Sequence, residues 1–522
     1  MIGAGPGFTA VDFAVVLIYL AGMTGLGLSL AGRQRTASDY FLGGRRIPWA
    51  AVMFSVVATE TSTLTFISIP AVAYGGTLTF LQITLGYIAG RVAVGFLLLP
   101  RYIGGRLSTA YEYLGGRFGP GLRGMTSVTF MLTRLLADGV RLFASAIPIA
   151  IILRLSGVRG SDLSIYLAAI LLIAGITLLY TLIGGIRAVV WMDVIQTGIY
   201  MGGAFLAVGI LLSRVPGGIF GALETARAAG KLKLIDLGFQ MSPADFFAEP
   251  YTLITALVGG AVFSIASHGT DQLIVQRLLA TRNLREGRRA LIGSGFVVMG
   301  QFALFLFVGI LLFAFYGGAS PEGLGLTARD EIFAKFIVEE IPSGLSGLIV
   351  AAILAAAMST LSSSINSLAS SAALDIYRPR RGREASPERL LRASRILSLG
   401  WGLILTGSAV LFAGLQLGSP GERPAVVELG LGIASYTYGG LLGVFLLGIL
   451  FRRVDRVDAA VGFFFGLTSL LFLVKGPVQG LLPGEGLTLA WPLYTLVGAA
   501  IAVAAGLISC RVREAMRRRN RE

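Results

Sequence analysis

A chain of 522 residues that is 55% hydrophobic and only 14% charged is too apolar for a soluble protein, since soluble domains carry about a quarter charged residues. One cysteine and one histidine exclude a disulfide framework and a Cys/His metal cluster. The net charge of +15 would suit a nucleic-acid binder, but its distribution along the chain assigns it to membrane topology instead.

At about 20 apolar residues per crossing, thirteen segments qualify as spans: 10–31, 49–75, 78–100, 124–153, 163–183, 188–213, 251–276, 290–316, 343–376, 393–416, 425–451, 457–475 and 488–510. Loops on one side hold 30 of the 43 Lys and Arg residues, loops on the other side 10, and Arg91, Arg134 and Arg141 fall within spans. The positive-inside rule then places the N-terminus outside and the C-terminus in the cytoplasm of a multi-pass cell-membrane protein. The Arg-rich tail from Arg511 can also touch anionic lipid. No cleavable leader is visible, because residues 1–10 lack a basic region and the first apolar stretch begins with Asp12.

Ionisable groups at bilayer depth are expensive and mark candidate functional positions. The second span holds Glu60 in a hydroxyl-rich run, SVVATETSTLTFISIP, that ends at Pro70. Such a run predicts a helix that unwinds partway, which is tolerated only where backbone lines a cavity or is buried in protein. In the fourth span Arg134 and Asp138 are i, i+4, and Arg141 is i+3 from Asp138. The surplus positive charge is either neutralised by Glu60 in a closed network or left for a substrate carboxylate. Asp193, in the sixth span, is either paired across helices or ligating a cation. The seventh span, GGAVFSIASHGTDQ, carries Ser264, Ser267, His268 and Gly269 and predicts a second break over 259–269, with Asp271 and Arg277 as a pair or cap beyond it. The extracytoplasmic loops are long, and 317–342 has apolar residues at helical spacing that predict a helix lying on the protein.

Residues 351–376 span a bilayer yet carry eight hydroxyls and Asn366. Ser359, Ser362 and Ser363 share a face, as do Ala356, Ser359 and Thr360. The stretch reads as an ion site, since a small hard cation takes oxygen ligands, or as small-residue helix packing.

Two interrupted helices five spans apart point to an inverted repeat with its site near the midplane. The expected organisation is an extra helix and loop at 1–48, a first five-helix repeat at 49–213, an extracytoplasmic loop at 214–250, a second repeat at 251–451, and two peripheral helices with a basic tail at 452–522.

Five stretches in this order, DYFLGGR (39–45), SVVATETSTLTF (55–66), GGIRAVVWMDVIQ (184–196), GTDQLIVQR (269–277) and AAAMSTLSSSINSLASSAALDIY (355–377), make the chain resemble the sodium/solute symporter family. That family includes sodium-coupled transporters of glucose and galactose, proline, sialic acid and monocarboxylates. The resemblance implies an all-α polytopic membrane protein on a leucine-transporter-like 5+5 inverted repeat, with the first helix of each half broken. It implies sodium as the coupling ion, held by Ala58, Thr61, Ala356, Ser359 and Thr360. It implies a second sodium position at Asp193, Ser359, Ser362 and Ser363, as some members have. The sugar-binding positions depart from the glucose transporters: Glu60 stands where those have Asn, and Ser264 and Ser267 where they have Asn and Tyr. The expected solute is therefore a small polar molecule, carboxylate-bearing or zwitterionic rather than a neutral hexose. Glu60, Gln82, Arg134, Asp138, Arg141, Ser264, Ser267 and His268 are its candidate contacts, with Arg134 and Arg141 competing for the carboxylate. A proton-coupled carrier using Glu60 or Asp193 is the main alternative and a membrane sensor a weaker one. An enzyme would need a nucleophile–base pair or metal ligands that the chain does not offer. A monomer is the expected functional unit.

Overall fold

The computed structural model describes residues 8–30, 34–155, 159–326, 328–381, 386–417, 426–474 and 486–520. These residues are almost entirely helical, and the two β-bridges described, Ile47 with Thr281 and Val474 with Leu487, are isolated. Among the described residues nine helices are long and apolar enough to cross a bilayer, or ten if a pair bent by 61° is counted as one span.

The elements that frame the centre are α1 (Ala10–Ser29), α2 (Trp49–Glu60), α3 (Thr63–Gly75), α4 (Gln82–Leu97), α5 (Pro120–Leu155) and α6 (Asp162–Arg214) in the first half. They continue with α7 (Gly260–Gly269), α8 (Gln272–Leu279), α9 (Leu284–Phe315), α10 (Leu345–Ser371), α11 (Pro387–Leu417), α12 (Val426–Leu450), α13 (Arg456–Leu473) and α14 (Trp491–Arg519). At about 1.5 Å per residue the 53 residues of α6 far exceed one crossing. It is two helices joined at Gly185, whose φ of 57° and ψ of −166° lie outside the range of other residues. The connection expected at 184–187 is therefore a single-glycine corner.

The α2–α3 pair is the bent one. Helix α2 ends at Glu60, Thr61 and Ser62 are extended, and a new helix starts at Thr63. The break is tighter than expected, and Pro70 does not end it: α3 runs through Pro70 to Gly75. In the seventh span the break is also displaced. Residues 259–269, expected to unwind, are helical, preceded by a π turn at Thr255–Gly259. The chain opens only at Thr270–Asp271, where the Asp271 side chain accepts from Leu273 N and caps α8. The helix expected within 317–342 is present as Glu331–Glu339, and its Ile332, Phe333, Phe336 and Ile337 are buried on the bundle.

Helix α10 occupies the middle. Of its most apolar window 94% is buried, and it packs against α6 above all, then α5, α1 and α11. Its N-terminus is held by the buried Asp12 of α1, which accepts from Gly344 N at 2.7 Å, Gly347 N at 2.8 Å and Ser346 Oγ at 2.5 Å. Away from water those amides need such an acceptor.

Close packing sets the position of α7. Gly86 and Gly90 of α4 let the α7 backbone approach until a Cβ at Gly90 would stand 2.4 Å from Ala261 O and 2.6 Å from Ser264 Cβ. This is the small-residue packing of membrane helices. Gly90→Val is expected to lower the melting temperature of the detergent-purified protein, because overpacking against backbone costs about 1–3 kcal/mol or more. Gly175→Ala, with nothing within 4 Å of the added Cβ, is expected to leave it unchanged or raised.

Candidate functional site: a broken helix, a hydroxyl-rich helix and a charged cavity

The break after Glu60 faces α10. Thr61 N and Oγ1 both bond back to Val57 O, at 2.9 and 2.8 Å, which leaves the Thr61 carbonyl turned outward. Thr360 Oγ1 lies 3.4 Å from Thr61 O and 3.1 Å from Ala356 O. Three oxygens from two helices thus converge, with Ala58 buried one turn back in α2. The Thr61 hydroxyl is clamped from behind. Gln301 Nε2 donates to it at 2.6 Å, and Tyr200 OH donates to Gln301 Oε1 at 2.8 Å. Gln301 and Tyr200 carry no pattern that distinguishes them in the sequence, because their role is set by α9 and α6 meeting α2.

Asp193 lies beside this point, fully buried. Of its two sequence readings, pairing across helices is realised. Arg277 Nη2 sits 3.4 Å from Oδ2, Ser55 Oγ donates to Oδ2 at 2.5 Å, and Ser359 Oγ donates to Oδ1 at 2.5 Å. Arg277 also donates to Ser55, Leu273 O and Ser363 Oγ. Ser362 donates to Ser359 O rather than to Asp193. Arg277 does not pair with Asp271, as the sequence had suggested, because α8 turns it towards α2 and α6.

The cavity opens on the other side of α2. Its polar wall carries Glu60, Arg134, Arg141, Ser267, His268 and Asp271, and its apolar wall is formed chiefly by Phe80, Tyr87, Phe263, Phe302 and Tyr438. Three expected contacts are elsewhere: Gln82, Ser264 and Asp138, the last buried among Arg134, Arg141 and Ser364. Gln82 donates to Tyr251 O at 2.7 Å and accepts from Asp236 N, so it fastens the extracytoplasmic loop instead. Ser264 donates to Tyr87 O at 3.0 Å and helps seat α7 on α4.

The arginine network forms as expected within α5 but is closed by a different acid. Arg134 pairs with Asp138 at 3.4 Å and with Asp271 at 3.0 Å, and donates to the Tyr438 hydroxyl. Tyr438 in turn donates to Asp271. Asp138 also accepts from Ser364 at 2.6 Å. Among the described residues Arg141 reaches only Asp138, at 3.6 Å, and its side chain keeps 15% exposure against 3% for Arg134. Glu60 takes no part in this network. Both its oxygens accept from Arg91 of α4, and His268 Nε2 lies 2.6 Å from Oε1. Arg91 was visible as an in-span charge, but nothing in the sequence tied it to Glu60. Thr59, Ser62 and Thr65 also line the cavity; the sequence showed them as part of the break but not as solute-facing.

A family model described as the sodium:solute symporter family matches residues 40–466. The chain belongs to this family. It is a sodium-coupled transporter, not an enzyme. It is 31% identical over 505 residues to the sodium/sialic acid symporter SiaT of Proteus mirabilis, covering 96% of this chain and 95% of that one. It is 31% identical over 489 residues to the human sodium/iodide cotransporter, covering 91% of this chain and 71% of that one. A solved substrate-bound, outward-open structure of a Na+-coupled sialic acid symporter, described as having a novel Na+ site, superposes with a TM-score of 0.81 at 30% identity, covering 97% of this chain and 98% of that one. Mhp1, a nucleobase-cation-symport-1 transporter, shares the fold at a TM-score of 0.51 and 13% identity, covering 92% and 95%.

The Asp193–Arg277 pair is a stability element whatever ions bind nearby. Asp193→Asn leaves the guanidinium without its counter-ion, so a loss of about 3–5 kcal/mol is expected, read as a lower melting temperature. Asp193→Asn with Arg277→Gln removes both charges and is expected to recover most of it. A double variant no more stable than the single one would contradict the assignment.

Proposed function

We propose that this symporter couples one sodium ion at Ala58, Thr61, Ala356, Ser359 and Thr360 to import of a small carboxylate-bearing solute held in the cavity lined by Glu60, Arg141 and Tyr438. The observation that carries this reading is Thr360, whose hydroxyl bridges the Thr61 carbonyl of the broken helix and the Ala356 carbonyl of α10. An oxygen cage without a carboxylate suits a monovalent ion that must also leave. Sodium joining α2 and α10 favours one state of the carrier through its differential affinity. When the two helices part, the cage opens and the ion is released. A second sodium at Asp193, Ser359, Ser362 and Ser363 would share that acid with Arg277, so the principal position is the one assigned to coupling.

Arg141 is the carboxylate reader. Arg134 is committed to two acids and a tyrosine, whereas Arg141 has one partner at 3.6 Å and reaches the cavity. The sialic acid named for two relatives is the first solute to try. Pairing of Glu60 with Arg91 and of Asp193 with Arg277 weighs against a proton-coupled cycle, because each acid is already neutralised. Thirteen crossings, the domain limits set out from the sequence, an inverted repeat, an extracellular N-terminus and a cytoplasmic basic tail complete the proposal. One chain lines the whole cavity, so a monomer suffices.

Uptake into proteoliposomes tests both positions. Ser359→Ala and Thr360→Ala are each expected to raise the sodium concentration for half-maximal uptake about tenfold or more, the equivalent of about 1.4 kcal/mol. Arg141→Gln is expected to weaken the solute by roughly 10- to 100-fold, the range for a lost hydrogen bond to a charged group, while sodium still stabilises the protein. Sodium dependence that is unaltered in both hydroxyl variants would overturn the ion assignment.

A further inference from the structure

The cavity has a second pole that the carboxylate reading does not use. Glu60 closes α2, with 19% of its side chain exposed to the cavity. Behind it Arg91 is fully buried, donating to both Glu60 oxygens and to Ser294 Oγ at 3.1 Å. Beside it His268 is 3% exposed. Its Nε2 lies 2.6 Å from Glu60 Oε1, and its Nδ1 lies 2.9 Å from Ser267 Oγ and 3.2 Å from Ser264 O. An ionised carboxylate offers about four acceptor positions, and one guanidinium nitrogen and one imidazole do not fill them. A solute can therefore reach a Glu60 oxygen but not the guanidinium behind it.

We infer that Glu60 is a specificity residue that reads an uncharged hydrogen-bond donor, a hydroxyl or amide N–H, on a monocarboxylate solute. This rests on the symport reading above and narrows its substrate class. Two charge arguments select a neutral donor over an ammonium group. First, the Glu60 charge is already cancelled by Arg91, so an ammonium would sit beside a neutral pair with no net counter-charge left for it. A hydroxyl or amide instead gains a charge-assisted bond without adding charge. Second, the charges around the cavity cancel: Arg91, Arg134 and Arg141 stand against Glu60, Asp138 and Asp271. Sodium and a monoanion entering together keep that balance, whereas sodium and a zwitterion leave an uncompensated positive charge at bilayer depth. The same cavity wall carries Tyr87 and Phe263, their rings stacked with centroids 6.0 Å apart, which suit a carbon skeleton with one apolar face. The solute class is thus a hydroxylated or N-acylated monocarboxylate, set apart from plain fatty monocarboxylates and from amino acids.

The test is thermal-shift titration of the purified protein in saturating sodium with N-acetylneuraminate, gluconate, hexanoate and 6-aminohexanoate. At least one of the first two is expected to stabilise the protein. Hexanoate, which lacks the donor, and 6-aminohexanoate, which replaces it with an ammonium, are expected to bind roughly 10- to 100-fold more weakly. Glu60→Gln with Arg91→Gln removes the pole without leaving a lone buried charge. It is expected to bring hexanoate and the better donor-bearing acid to similar affinity while Arg141 still requires a carboxylate. Hexanoate or 6-aminohexanoate binding as well as the donor-bearing acids to the wild type, or unchanged discrimination in the double variant, would overturn the role of Glu60 and leave the symport reading standing. Sodium-independent binding, or no response to any of the four acids, would overturn the symport reading and this inference with it.

Discussion

A protein that spans a bilayer has no water at its centre to stabilise a charge, so each one must find its opposite within the bundle. Three groups of charges meet that requirement here, and together they tie every interrupted helix to its neighbours. Glu60 at the end of α2 is held by Arg91 of α4 and by His268 of α7. Asp193 of α6 is held by Arg277 of α8, which also donates to Ser363 of α10. Asp271, in the gap between α7 and α8, closes the α5 arginine network with Tyr438 of α12. Two broken helices could not persist in this setting without such ties, because their freed backbone groups and flanking charges would otherwise face hydrocarbon.

The same ties explain how a conformational change can be coupled to an ion. Helix α10 touches both the ion position, through Thr360, and the arginine network, through Ser364 and Asp138. Just beyond its C-terminal end Asp375 accepts from Thr109 and Arg123, and Gln272 of α8 bonds both Ala110 N and Ser370. Separation of α10 from the broken elements therefore loosens these contacts as a set. Each contact is modest alone, so the balance between states is close enough for one ion and one solute to shift it.

Much of this was legible in the chain. The all-helical, membrane-spanning character follows from apolar length, and the hydroxyl run at 351–376 declared its helix as exceptional. Arg134, Asp138 and Arg141 announced their contact by i, i+3 and i, i+4 spacing, and the structure keeps it. What spacing cannot convey is contact between distant segments. Glu60 was given to the wrong arginines because Arg91 lies 31 positions away on the next helix, and Asp193 found a partner 84 positions away. The second break was placed too early because Gly259 and Gly260 looked like weak points. Their lack of side chains instead serves close packing, Gly260 against Ile83 and Gly86 of α4 and Gly259 against Pro492 of α14. Proline misled in the same way at 70, where α3 runs on without a break and packs closely on α9: a Cβ at Gly309 would stand 2.2 Å from Pro70 O.

The central claim is that sodium and a carboxylate solute bind to one state of one chain and strengthen each other. Linkage makes that strengthening equal in both directions. The direct measurement is equilibrium binding of radiolabelled sodium to the purified protein with and without saturating N-acetylneuraminate, beside the affinity for that acid with and without sodium. The account predicts that the two affinities rise by the same factor and that Thr360→Ala lowers the sodium affinity with and without the acid. A sodium affinity indifferent to an acid that the protein demonstrably binds would contradict it.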